Sequence, residues 1–262
     1  MLIRYLGWSA FQFWRTVGEA SIVVDPFLEG DGAHRIPPSP VKREELNDVA
    51  AVLITHGGFD HVRGSFELIK QNPGALLCCG SDVRALALRS GIPDSSIAWA
   101  APGSEIGIDM PKAKIKVLQA DHHSRISLGT DQYMSGSALS YIINFGEESC
   151  YHGGDSSLNL NLLLSGLLYR PDIAMVGVGG AYINGRKLSE TGPREAFFAG
   201  LMLGARVLIP MHYQEGEAEE LKTIVQTVGN GKMVCHVPQP GEKFEYTPSL
   251  IRKRIETSIK TF

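Results

Sequence analysis

The sequence has no run of about 18 apolar residues, the length a bilayer-crossing helix needs. It has no basic excess either: 25 lysines and arginines face 28 aspartates and glutamates, a net charge of −3. Dedicated nucleic-acid binders are usually basic, so no nucleic-acid partner is expected. Low-complexity segments are missing. The four cysteines, Cys78, Cys79, Cys150 and Cys235, form no C-x-x-C pair. They read as buried free thiols of a reducing compartment rather than a redox pair or a thiolate zinc site. The opening MLIRYLGWSAFQFW lacks the charged, apolar and small-residue order of a signal peptide. A soluble, cytoplasmic protein without a membrane partner is therefore expected.

What is present is an ordinary globular composition, 44% hydrophobic and 20% charged over 262 residues. A chain of this length buries roughly 70–75% of the surface its unfolded form exposes, so its core needs no disulfides. Met1–Tyr5, Ala10–Trp14 and Ala20–Val24 read as strands. Residues 29–48 carry Pro37, Pro38 and Pro40 and read as a long loop, either at the mouth of a site or a plain excursion. Val49–Thr55 is continuously apolar, as a strand buried on both faces should be. Val62–Lys70 reads as a helix and Ala75–Cys79 as a strand. A helix capped by Ser81 or Asp82 runs through Leu88 and is terminated by Gly91-Ile92-Pro93. Lys114–Leu118 is an alternating strand. Ala138–Phe145 and Ser149–Tyr151 flank a hairpin turn. Leu158–Leu168 is a leucine-rich helix, and Ile173–Val178 a strand. A helix begins at Pro193 and stops at Gly204. Arg206–Pro210 is a strand and Glu217–Val228 an amphipathic helix. No linker interrupts this order, which predicts a single α/β domain over 1–262, with sheets buried between helices. Ile251, Ile255, Ile259 and Phe262 would share one face of a last helix, either packed on the core or serving a homo-oligomer contact.

Eight histidines are present. Six of them, His56, His61, His122, His123, His152 and His212, fall at or just after expected strand ends, as do Asp25, Asp60 and Asp155. Loops beyond strand ends converge on ligands in α/β sheets, so these groups are expected to meet. The densest cluster is Thr55-His56-Gly57-Gly58-Phe59-Asp60-His61. Two imidazoles and a carboxylate on a glycine-rich turn suit a borderline divalent metal such as zinc.

That cluster resembles the H-x-H-x-D-H signature of the metallo-β-lactamase superfamily. IVVDPF with Asp25, Ala120-Asp121-His122, YHGGDSS with Asp155, and Pro210-Met211-His212-Tyr213 follow in the family's order, covering residues 1 to about 215. LGWSAFQF, VVDPFL, YHGGDSS and PMHY most resemble the branch that contains ascorbate-6-phosphate lactonase and uncharacterised relatives. The resemblance implies a four-layer αββα sandwich, two mixed sheets between helices. It implies one or two divalent ions, zinc or manganese, with His56, His122 and Asp155 at a first site and Asp60, His61, Asp155 and His212 at a second. Asp25 would buttress the metal loop. Two departures stand out. Gly58 replaces the middle histidine, so the first site should bind weakly, take an extra water or stay empty, unless His123 or His34 substitutes. Trp8 stands where relatives often carry a histidine, and is expected to shape the pocket.

The expected activity is that of a metal-dependent hydrolase using a metal-bound hydroxide on an ester, lactone or phosphodiester. Asp60 would orient the nucleophile. His152 would protonate a leaving group, or else serve as a hydrogen-bond partner behind the ligands. Arg125 would meet an anionic part of a small-molecule substrate, or else lie at the surface. The alternative is a catalytically impaired protein that binds a ligand or metal on the same fold. A nuclease of this superfamily is disfavoured by the acidic balance.

Overall fold

The computed structural model describes residues 1–247; the proposed last helix lies outside them. The strands are β1 (Leu2–Gly7), β2 (Ala10–Trp14), β3 (Ser21–Val24), β4 (Val49–Leu53), β5 (Leu76–Cys79), β6 (Ile97–Trp99), β7 (Glu105–Ile108) and β8 (Ala113–Gly129). Then come β9 (Gln132–Asn144), β10 (Ser149–His152), β11 (Ile173–Gly177), β12 (Tyr182–Ile183), β13 (Arg186–Lys187), β14 (Val207–Met211), β15 (Val234–Cys235) and β16 (Lys243–Glu245). The helices are α1 (Phe59–Val62), α2 (Ser65–Gln71), α3 (Ser81–Arg89), α4 (Asn161–Tyr169), α5 (Pro193–Leu203) and α6 (Glu217–Val228).

Two seven-stranded mixed sheets form, ordered β16-β1-β2-β3-β4-β5-β6 and β15-β14-β11-β10-β9-β8-β7. Side chains alternate across a strand, and here both faces are buried. Ile22, Val24, Ala51, Leu53 and Cys78 face the second sheet, meeting Ile143, Ile173, Met175 and Ile209. Val23, Val52, Leu77 and Cys79 face outward into a layer with Phe66, Leu68 and Val83 from α2 and α3. On the far side Ala174, Val176 and Leu208 pack under Ala196, Phe197, Leu221 and Val225 from α5 and α6. The result is helices, sheet, sheet, helices, the expected four-layer arrangement.

Three local differences from the sequence reading matter. The helix expected over Val62–Lys70 is two short helices, α1 and α2, broken at Gly64 with φ of 84°. The short strand expected at Lys114–Leu118 is the start of the 17-residue β8, which pairs with β9 in a long hairpin. Consequently His122 and His123 do not lie beyond a strand end. They sit at an interruption within β8, where the pairing jumps from Gln119↔Leu139 to His123↔Ser137. Three residues of β8, Ala120 to His122, thus oppose one of β9, and such a bulge re-aims side chains.

The parallel strands β3, β4, β10, β11 and β14 bring Asp25, the Thr55–His61 loop, Gly154-Asp155 and His212 to one rim. Backbone bonds stitch the two sheets there: Leu139 N–H donates to Thr55 O at 2.8 Å and His212 N–H to Trp8 O at 3.2 Å. The Tyr141 hydroxyl donates to Ile54 O at 2.6 Å.

Candidate metal centre

Three non-glycine residues with positive φ converge at this rim: Trp8 (54°), Asp25 (45°) and His212 (59°). Such backbone is uncommon outside glycine and tends to cluster at functional sites. Gly154, at φ 55°, allows the β10 turn to press against the metal loop, since a Cβ there would lie 2.8 Å from Thr55 Cβ.

Six side chains form two neighbouring trios, His56 with His122 and Asp155, and Asp60 with His61 and His212; within each the donor atoms lie within 4.8 Å of one another. Asp155 Oδ2 joins the trios: it lies 3.2 Å from both His61 Nε2 and His212 Nε2, and 3.7 Å from His56 Nε2. Asp60 Oδ2 is 3.3 Å from His212 Nε2 and 3.8 Å from His61 Nε2. All six residues expected from the sequence therefore meet. His34 is not among them; it pairs with Asp31 at 2.9 Å.

Asp25 is the hub behind the loop. Its Oδ1 accepts from Thr55 N–H at 2.8 Å, and its Oδ2 from the Thr55 hydroxyl at 2.7 Å. His61 Nδ1 lies 2.7 Å from the same Oδ2, which directs its Nε2 toward the cluster, the arrangement expected of a metal-binding imidazole. On the outer side Trp8 Nε1–H donates to Asp60 Oδ2 at 2.9 Å, and the indole lies 4.1 Å from the His212 ring. Trp8 thus fixes one ligand by a hydrogen bond and another by a tilted ring contact, 41° between planes. Gly57 N–H donates to Ser124 Oγ at 2.9 Å, and Ser124 in turn donates to the buried Asp82.

Electrostatics separate the trios. Burial opposes charge on His61, but Asp155, Asp25 and Asp60 outweigh it and raise its pKa well above the ordinary value. His212 is raised too, burial being overcome by Asp155 and Asp60. Burial likewise opposes charge on Asp155, yet His212 and His61 hold its pKa well below the carboxylate range. His56, by contrast, is pushed down to about 3 by burial and by His61. Burial also lowers His122. The buried His61 Nε2 and Asp155 Oδ1 have no hydrogen-bond partner. Buried polar atoms left without a partner are expensive in a protein interior, and a divalent cation accepts the lone pairs of both. The residues present fit such an ion.

At Gly58 the His56 ring approaches the space a side chain would use: a Cβ there would lie 2.6 Å from His56 Nε2 and 3.1 Å from Asp60 Oδ1. His152 is fully buried. Its Nε2–H donates to Ser9 O at 2.9 Å, and its Nδ1 accepts from Gly154 N–H at 3.2 Å. Both nitrogens are used and the ring is not on the cavity wall. The geometry is that of a hydrogen-bond partner steadying the Asp155 turn, not of a proton donor to substrate.

A cavity of about 520 Å³ opens over the trios. His123, Arg125, Ser127 and Tyr133 from the β8–β9 hairpin form one wall. Ala181, Ile183, Leu188 and Glu190 form the other. The sequence reading missed Tyr133 and Glu190, which belong to no motif. Glu190 Oε2 is buried without a partner, 3.9 Å from His212 Nδ1, and burial raises its pKa.

A family model described as the beta-lactamase superfamily domain matches residues 20–213. The chain belongs to that superfamily. A metal-dependent hydrolase of the UPF0173 group from Methanopyrus kandleri is 29% identical over 252 residues, covering 94% of this chain and all of that relative. Its counterpart from Aeropyrum pernix is 29% identical over 260 residues, covering 93% and 97%. Among solved structures, a metallo hydrolase from Ignicoccus hospitalis superposes with a TM-score of 0.73 at 25% identity, covering 94% of this chain and 99% of that one. An isothiocyanate hydrolase from Delia radicum gut bacteria shares the fold, with a TM-score of 0.69 at 18% identity and coverage of 94% and 100%. The superfamily model therefore spans every residue of both trios.

Proposed function

We propose that this protein is a metal-dependent hydrolase that cleaves an ester, lactone or phosphodiester bond in a small anionic substrate. The observation that carries the reading is Asp155 Oδ2 standing 3.2 Å from both His61 and His212. The curated relatives, named metal-dependent hydrolases, support the same reading. A zinc or manganese ion held there would supply an acidified water and a positive charge beside the bond to be broken.

The chain's own residues do the rest. His61, His212, Asp60 and Asp155 form the fuller binding set, and His56 with His122 the set altered by Gly58. Asp60 is fixed through Oδ2 by Trp8, which leaves Oδ1 to orient the attacking water. Arg125, stacked 4.4 Å from the Tyr133 ring centre, meets the anionic part of the substrate. Ala181, Ile183 and Leu188 cover an apolar part and keep bulk water from it.

Chelated protein reloaded with zinc or manganese is expected to regain turnover on a panel of activated esters, lactones and phosphodiesters. Manganese belongs in the test because a first site short of one imidazole relies more on oxygen, which favours harder ions. No gain with either ion on any substrate, while the protein still binds the metal, would favour the second reading. In that reading Gly58 marks a catalytically impaired protein that binds metal or ligand on the same fold.

A further inference from the structure

The cavity and its titratable groups belong to the site already described. Among the described residues, an exposed apolar feature unconnected with it lies on α4, which packs beside α5 over the second sheet. Residues 156–169 contain no charged side chain. Leu160, Leu163, Leu164, Leu167 and Leu168 recur at helical spacing, i, i+3, i+4, i+7 and i+8. Such a stripe ordinarily faces the core. Here it faces outward: Leu160 is 74% exposed, Leu167 64% and Leu168 72%. The buried side of α4 is made instead by Leu162, Ser165 and Gly166. Gly166 sits directly against the Met202 carbonyl of α5, with no room for a larger residue. The helix is thus seated firmly with its apolar side out. Phe198 and Leu201 of the adjoining α5 are also exposed.

We infer that the outward leucine face of α4, extended by Phe198 and Leu201 of α5, is the contact through which two copies of this chain associate. Together these seven side chains expose on the order of 700 Å², more than the roughly 300–600 Å² of the largest apolar patch on a typical monomer. That is close to the approximately 800 Å² each partner contributes to a standard interface. A two-fold contact sets a patch against its own copy. A charge-free patch does so without like-charge repulsion. Helices that lie on membranes carry lysines and arginines along the polar side; α4 has none. The assignment is independent of the hydrolase reading, because no residue of the patch touches the metal centre.

Light scattering behind size exclusion tests it, with metal-loaded protein at about 50 µM, above the weakest affinities typical of interfaces this size. The expected mass is twice the 28.5 kDa of one chain. Leu164→Glu combined with Leu168→Glu is expected to return the mass to that of one chain, with metal content unchanged. Hydrogen exchange on the wild type supplies a readout that needs no variant: α4 amides should exchange more slowly as concentration rises. A wild type of single-chain mass, a folded double variant that stays doubled, or α4 exchange independent of concentration would overturn the assignment. So would recovery of single chains on phosphatidylcholine vesicles, which would make the face a lipid contact.

Discussion

The two trios of the metal centre share Asp155 yet are built differently. Around Asp60, His61 and His212 the packing leaves little freedom. All three are buried, Asp25 holds His61 from behind, and Trp8 holds Asp60 by its indole N–H while its ring packs on His212. Around His56 and His122 the support is thinner. His56 has the Thr55 hydroxyl at 3.0 Å. His122 is half-buried, comes from a bulge in a long hairpin, and among the described residues has His56 and His123 as ring neighbours, at 4.9 and 4.4 Å. Where the family signature places a third imidazole, this chain has Gly58. Affinity for an ion depends on donors held in place before it arrives. One half of the centre is preorganised, and the other depends on what the ion itself can gather.

The largest expected effect tests that contrast directly. His61→Ala should weaken the tighter ion by more than the roughly 10–100-fold that loss of an outer partner costs. His122→Ala should cost that ion about tenfold or less, because it removes a donor from the weaker half. Competition titration with a coloured chelator measures both. Equal losses would erase the difference between the trios.

A smaller gain is expected from Gly58→His. The new side chain must displace the His56 ring, whose Nε2 stands 2.6 Å from the position of its Cβ. That ring is the end of a side chain, but it is buried and is itself a ligand of the weaker half, so its displacement limits the gain. The variant should strengthen the weaker binding step by at most about tenfold, equivalent to ~1.4 kcal/mol, and change the tighter step less, although the new Cβ would lie 3.1 Å from Asp60 Oδ1. The same titration reads it.

The effect with least bearing on the ion concerns the support beneath the centre. Burial lowers the pKa of His152 below the ordinary 6.5. The unfolded chain therefore binds more protons there than the folded one as pH falls below 6.5, and stability declines with acidification. His152→Gln should lower the melting temperature at neutral pH, through the roughly 1–3 kcal/mol cost of unpaired buried groups. It should also flatten the decline between about pH 7 and 5, in proportion to the proton uptake removed. Thermal melts across that range check both slopes.

Much of this was legible in the sequence because it follows from local rules. Continuous apolar runs such as Val49–Leu53 marked strands covered on both faces, and the T-H-G-G-F-D-H cluster marked the ligand loop. The bulge at Ala120–His122 was not legible, since it depends on the register between two long strands rather than on either strand alone. Nor was the function of Trp8: nothing near LGWS states that its indole reaches Asp60, more than fifty residues away. His152 lay at a strand end like the true cluster members, and only the coordinates show that Ser9 and Gly154 already use both its nitrogens. Glu190 reached the cavity through the β12–β13 hairpin without any motif to announce it.

The most direct measurement is calorimetric titration of the metal-free wild-type chain with zinc, paired with elemental analysis of the loaded protein. The account predicts one tight ion per chain, and a second step at least about tenfold weaker, ~1.4 kcal/mol. Two equal steps would contradict the inequality of the halves, and no saturable binding of zinc or manganese would contradict the metal centre itself.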